Sequence, residues 1–238
     1  MNNAYKNGCS SCATCPFNNT NRICRVQDKE HGRHPETCAT VYEAEVLKDA
    51  FEQYMNDPEL KNFALNACRQ EGACYEQIPY LPGSTRPIKP RIMEVAEFCQ
   101  RMGYKKIGLA FCGGLQKEAL KLTKILKAYG LEVVSVMCKV GGISKEKIGI
   151  SECEKILPGR YENMCNPIGQ AAILNEAETE FNLLLGLCVG HDSMFLRFSK
   201  AMCTVVAVKD RPLGNNPLAA IYSDYYRFLL KGDGQHLD

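Results

Sequence analysis

Lys106-Ile-Gly-Leu-Ala-Phe-Cys-Gly-Gly-Leu115 runs from an unbroken apolar strand straight into a turn made of one cysteine and two glycines. The run 106–111 does not alternate with polar residues, so it reads as a strand buried on both faces. A helix over 115–129 follows and is stopped by Gly130. The same alternation continues along the chain. A valine-rich strand covers 132–138, a helix lies near 169–177, and a second wholly apolar strand covers 181–187. A short helix around 193–201, a strand at 204–208 and a final helix over about 216–230 complete the pattern. Strands separated by helices imply a mostly parallel sheet with helices on its faces. The expected fold class is therefore α/β, a doubly wound, mostly parallel sheet with its ligand crevice at the carboxyl ends of the strands.

Working back towards the N-terminus, Ile92, Val95, Ala96, Cys99 and Met102 recur at helical spacing, and Gly103 ends that helix. Residues 79–90 hold four prolines and a Gly-Ser pair, the strongest linker signal in the chain. Before it, Val41, Ala44, Leu47, Lys48 and Phe51 follow the spacing of a buried helical stripe, and Asp57-Pro58 reads as an N-cap with proline at the first helical position. Residues 1–35 show no periodicity and are rich in Asn, Cys and Gly. Three regions are expected: a cysteine-rich metal-binding segment 1–35, a helical segment and linker 36–90, and an α/β domain 91–238 carrying a crevice site.

A formal charge of +2 provides no field that would gather nucleic acid or an anionic membrane surface, so neither is an expected partner. No apolar stretch is long enough to span a bilayer, and the N-terminus lacks a signal-peptide pattern. The expected location is the cytoplasm, where thiols stay reduced and clustered cysteines are more often metal ligands than disulfides. Cysteine is the compositional outlier, at 14 of 238 residues.

Four of these thiols form Cys9-x2-Cys12-x2-Cys15-Pro16-x7-Cys24. The opening spacing and the Cys-Pro step match ferredoxin-type loops that wrap a 4Fe-4S cluster, while the distance to Cys24 departs from them and leaves a four-thiolate zinc knot open. A second group stands at the strand ends. Cys112 precedes Gly113-Gly114 and a helix start, Cys165 precedes Asn166-Pro167, and Cys188 runs into Val189-Gly190-His191-Asp192. In the expected fold these three share one rim, where they would bind a cluster with one iron open to a small molecule or an electron-transfer partner. Cys138 is a fourth candidate ligand there. The alternative is that each packs as a small apolar residue. Cys99 and Cys68 fall on apolar helix faces and read as core.

Gly113 and Gly114 permit close backbone approach, and the amides of the following helix would stabilise a thiolate or an anionic ligand. His191 is a candidate general acid/base. Asp192 and Ser193 read equally well as a helix N-cap. Lys209 could orient an anionic group, or form an ion pair with Asp210. There is no Gly-x-Gly-x-x-Gly and no phosphate loop, which disfavours nucleotide binding.

The segments Ala110–Leu115, Val134–Ile143, Met164–Ile168, Gly186-Leu-Cys-Val-Gly-His-Asp-Ser193 and Val208–Pro217 resemble the "domain of unknown function 1847" family over nearly the whole chain. The resemblance implies a cysteine-rich, metal-binding cytoplasmic protein, and Asn215 departs from a histidine expected in its last motif. The functional expectation is thus an iron–sulfur protein, with a redox or sulfur-chemistry site at the crevice that would act as an iron–sulfur-dependent oxidoreductase or a sulfur-transfer or desulfurising enzyme. Two competitors stand beside it: a non-enzymatic zinc-stabilised binding or metal-handling protein, and a sulfur carrier using Cys188.

Overall fold

The computed structural model describes residues 10–223 together with 226 and 230. The chain divides into two compact units, Met1–Cys68 and Arg69–Asp238.

The first unit holds a 3-10 turn at Cys12–Thr14 and three helices, α1 (Ala39–Tyr42), α2 (Ala44–Asn56) and the larger part of α3 (Pro58–Ala73). Asp57 caps α3 as its sequence predicts, its Oδ1 accepting from the amides of Glu59 at 2.9 Å and Leu60 at 3.0 Å. Hydrogen bonding ties down the aperiodic segment. The Ile23 amide donates to the Arg33 carbonyl at 2.9 Å, the Arg33 amide returns one to Asn21 at 2.8 Å, and the Arg33 guanidinium lies 4.5 Å from the centre of the Phe17 ring. The stripe on α2 is not buried: Leu47 is 48% and Phe51 62% exposed, and α2 contributes no buried residue.

In the second unit, the end of α3 is followed by a small antiparallel hairpin of β1 (Tyr75–Gln77) and β2 (Thr85–Pro87), the second strand of which lies in the proline-rich stretch read as a linker. The amphipathic α4 (Arg91–Met102) follows, burying Val95, Ala96, Phe98 and Cys99 and ending at Gly103 with φ 76°. Next come β3 (Lys106–Phe111), α5 (Gln116–Ala128), β4 (Glu132–Met137), α6 (Pro167–Glu176), β5 (Phe181–Leu187), α7 (His191–Phe198), β6 (Cys203–Val208) and α8 (Ala219–Tyr222). The remainder of the final helix expected to 230 falls largely outside the described residues.

This is an α/β fold with a four-stranded sheet of order β4-β3-β5-β6 in which all pairings are parallel. Position in the sheet explains composition. Every residue of central β5 is buried, and so is all of β3 after its first residue, which is why both strands lack alternation. Ile107, Leu109, Leu183 and Leu184 are essentially inaccessible, each contributing about 1.5–3 kcal/mol of burial. Gly108 is required by its neighbour, since a Cβ there would stand 1.9 Å from Asn182 Oδ1. That oxygen accepts from Thr179 Oγ1 at 2.7 Å, and Asn182 Nδ2 donates to Ser199 Oγ at 2.8 Å, so the buried amide is satisfied. Among the described residues no helix is long and apolar enough to cross a membrane.

Candidate functional site

The carboxyl ends of the four parallel strands carry Cys112, Cys138, Cys188 and Lys209, one after each of β3, β4, β5 and β6. Strand order changes sides between β3 and β5, because β4 lies on one flank of β3 and β5 on the other. Crevices form at such a point.

Cys165 reaches this rim by a route the periodicity did not reveal. Residues 139–166 look irregular in sequence but are tied together at both ends. Ser144 bridges Asn163, the Met164 amide donates to the Ile143 carbonyl at 2.8 Å, and the Asn166 amide donates to the Cys138 carbonyl at 2.7 Å. Within the loop the ammonium of Lys155 is paired with Glu146 and Glu152, and Lys145 with Glu162. Asn166 then caps α6, its Oδ1 accepting from the Gly169 amide at 2.9 Å, with Pro167 at the first helical position. The result packs Cys165 against the cluster that holds Cys138, close enough for the two thiols to perturb one another.

The pair is asymmetric. Cys138 is 4% exposed and belongs to the core cluster of Ala110, Val136, Leu184 and Phe195, whereas Cys165 is half-buried at its margin. The interaction with the Cys165 sulfur, followed by burial, raises Cys138 well above the ordinary thiol range. The interaction with the Cys138 thiol, opposed by burial and assisted by Lys139 and His191, lowers Cys165 to about 5. Cys138 is therefore the proton holder and Cys165 the thiolate. The Gly113 amide also donates to Cys138 Sγ, at 3.3 Å, so the turn expected to receive an anionic ligand instead engages a neighbouring sulfur.

The metal expectation is overturned. Among the described residues, no group of three or more His, Cys, Asp or Glu side chains is arranged to hold a metal ion. The expected 4Fe-4S centres, and zinc in their place, are not built from these residues. At the N-terminus Cys9 lies outside the described residues, Cys12 and Cys24 are exposed, and Cys15 is half-exposed in a loop already held by backbone hydrogen bonds. At the crevice the expected trio Cys112, Cys165 and Cys188 is replaced by the pair Cys138–Cys165. Cys112 is near enough to act on Cys138 electrostatically, while Cys188 is engaged elsewhere, its Sγ taking a hydrogen bond from Arg211 Nη2 at 3.3 Å. Every cysteine among the described residues is a free thiol. Cys99 is buried as expected, but Cys68 is exposed on α3.

His191 is the first residue of α7, capped by Gly190 at φ 80°, and its ring is one of the charges acting on Cys165. The N-cap role read for Asp192 and Ser193 belongs to Gly190, and Asp192 Oδ1 accepts from the next amide at 2.8 Å. Lys209 does not pair with Asp210, whose carboxylate accepts from the Leu213 amide at 3.0 Å.

One residue escaped the sequence reading. Gly186 adopts φ 65° where the β5–β6 register shifts, a bulge that turns the end of β5. A Cβ there would stand 2.1 Å from Leu115 Cδ1 and 3.5 Å from Lys209 Nζ, so the glycine lets both side chains close over the strand end. A lone glycine inside an apolar strand was the available signal.

The uncharacterized protein MJ0455 of Methanocaldococcus jannaschii is 43% identical over 189 residues, covering 79% of this chain and 90% of that protein. No solved structure matches the chain. A family model described as "Protein of unknown function (DUF1847)" matches residues 38–206, which is most of the chain, and the chain belongs to that family.

Proposed function

We propose that the chain is a thiol protein in which the Cys165 thiolate attacks a sulfur electrophile and Cys138 resolves the adduct. The observation that carries this is the packed, oppositely perturbed pair Cys138–Cys165. Two titratable groups whose environments drive them apart divide acid and base roles between them. A thiolate with cationic neighbours and partial exposure is the reactive form of cysteine, unlike a wholly buried thiol. This reading takes the sheet as doubly wound, with the crevice at the β3/β5 change of direction. It also places the protein in the reducing cytoplasm, with a small molecule as its partner.

In the proposed step, the Cys165 thiolate attacks one sulfur of a small-molecule disulfide. The substrate S–S bond breaks, a mixed disulfide forms on Cys165, and the departing thiolate takes a proton from the His191 imidazolium or from water. Cys138 then loses its proton to the neutral imidazole or to water and attacks Cys165 Sγ. A Cys138–Cys165 disulfide closes and the second substrate thiolate leaves. The substrate gains two electrons and the protein dithiol loses two; a cellular dithiol reductant resets the pair.

The test uses an aromatic disulfide and peptide mass spectrometry at pH 6. The wild type is expected to form the Cys138–Cys165 disulfide, Cys138→Ser to retain a stable mixed disulfide on Cys165, and Cys165→Ser to lose the fast phase. Modification of Cys165 no faster than that of exposed Cys68 and Cys153 would overturn the proposal.

A further inference from the structure

Beyond the thiol pair, the end of β6 presents cations that no carboxylate among the described residues satisfies. Lys209 is half-buried, and among the described residues neither its ammonium nor the Arg211 guanidinium has an ion-pair partner. The nearby acids are occupied locally: Asp210 by the Leu213 amide at 3.0 Å and Asp192 by the Ser193 amide at 2.8 Å. Arg211 is exposed and Lys209 keeps part of its surface open to solvent, so a ligand can reach both. Both cations lie against the end of β5. Lys209 Nζ lies over the missing side chain of Gly186, 3.5 Å from where its Cβ would be, and Arg211 Nη2 is 3.3 Å from Cys188 Sγ.

We propose that Lys209 and Arg211 form a subsite for the acidic group, carboxylate or phosphate, of a small ligand lying beside Cys188. The ammonium supplies a point charge and the guanidinium a planar fork, a combination suited to an oxyanion. As a statement about substrate, this rests on the thiol reading above and gives that substrate a negative charge. As a binding site it stands on β5, β6 and the turn after β6 alone.

The experiment compares alkylation by anionic iodoacetate with that by neutral iodoacetamide, resolved by peptide at each cysteine of the full chain. In the wild type, the iodoacetate-to-iodoacetamide rate ratio at Cys188 is expected to exceed that at Cys68 and Cys153 by roughly ten-fold, as charge focusing would give. Lys209→Gln and Arg211→Gln should each bring it down to the ratio of the exposed thiols, while Lys209→Arg restores it. Inorganic phosphate should protect Cys188 from iodoacetate in the wild type and not in the Gln variants, and protection without an iodoacetate preference would assign the subsite to phosphate alone. Equal ratios with no phosphate protection, ratios unchanged in both Gln variants, or no reaction of Cys188 with either reagent would overturn the subsite. Cys165 is read in the same samples, so an unreactive Cys165 sinks the thiol reading, while the subsite stands or falls on Cys188 alone.

Discussion

The backbone amide of Gly113 points at the sulfur of Cys138, 3.3 Å away, and so fastens the turn after β3 to the thiol after β4. Cys138 thereby takes one hydrogen bond from the backbone and packs beside Cys165. It is held in the core as an immobile proton donor, and the freer partner carries the charge.

Reactivity should follow that division. With Cys165 lowered to about 5, it is thiolate at pH 6, where an ordinary thiol is almost wholly protonated. Its lower intrinsic nucleophilicity offsets much of the gain, leaving an expected rate advantage of about ten-fold over an exposed thiol at that pH. Iodoacetamide labelling across pH 4–9 checks it, and Cys138→Ala should move the Cys165 midpoint upward. A wild-type midpoint near 9 would show that the thiolate is not stabilised.

Stability should vary with pH through the same pair. Below pH 5 both thiols are protonated whether the chain is folded or not. Between 5 and the ordinary value of 9.0, the folded pair holds one proton and the unfolded pair two, so stability rises with pH. Above 9.0 the unfolded chain loses both protons while Cys138 keeps its own, and stability falls again. A one-proton difference is worth about 1.4 kcal/mol per pH unit, and solvent screening of half-buried Cys165 reduces this below about 1. Urea midpoints of the wild type and Cys165→Ser between pH 5.5 and 8.5 should diverge with rising pH; parallel curves would refute the linkage.

Gly186→Ala should destabilise by about 2–4 kcal/mol, combining a left-handed backbone for alanine with a clash against Leu115. The two causes are separable in a double-mutant cycle with Leu115→Ala, which relieves the contact and leaves the backbone cost. A loss below about 0.5 kcal/mol in the single variant would mean that the bulge is readily remodelled.

Gln170 offers a contrast of shape and polarity. Its Nε2 donates to the Val136 carbonyl at 2.7 Å and the Phe111 carbonyl at 3.3 Å, pinning α6 to the ends of β4 and β3, while its Oε1 is buried without a partner. Gln170→Met loses the donations but also removes the orphaned oxygen, so a loss of about 1 kcal/mol or less is expected. Gln170→Ala should cost about 2–4 kcal/mol through the cavity it opens. Thermal or urea unfolding of the two variants decides whether filling the space or bonding the carbonyls matters more.

The sheet was readable because burial on both faces leaves an unbroken apolar run, as in Lys106–Phe111 and Phe181–Leu187, and because Gly103 and Gly130 mark helix ends. The β1–β2 hairpin was not readable, since two three-residue strands beside prolines leave no periodicity. The helical stripe around Phe51 misled for another reason: amphipathic spacing marks a face able to be covered and does not say that anything covers it. At the site, Cys112 and Cys138 follow neighbouring strands, and Cys112 packs against the cluster holding Cys138. What strand-end position could not give was how many sulfurs point at a common centre, because that depends on the loop delivering Cys165 and on Arg211 engaging Cys188.

β6 lies at the margin of the sheet, half-buried along its whole length, and Lys209 and Arg211 follow it directly. Cys138 follows β4 at the opposite edge, and Cys165 ends the loop before α6. Fraying of that outer strand would carry the two cations away and leave Cys138 and Cys165 in place, so charge selection and sulfur reactivity could be lost separately on warming. Amide exchange faster over 203–208 than over 132–137 would mark the order in which they go.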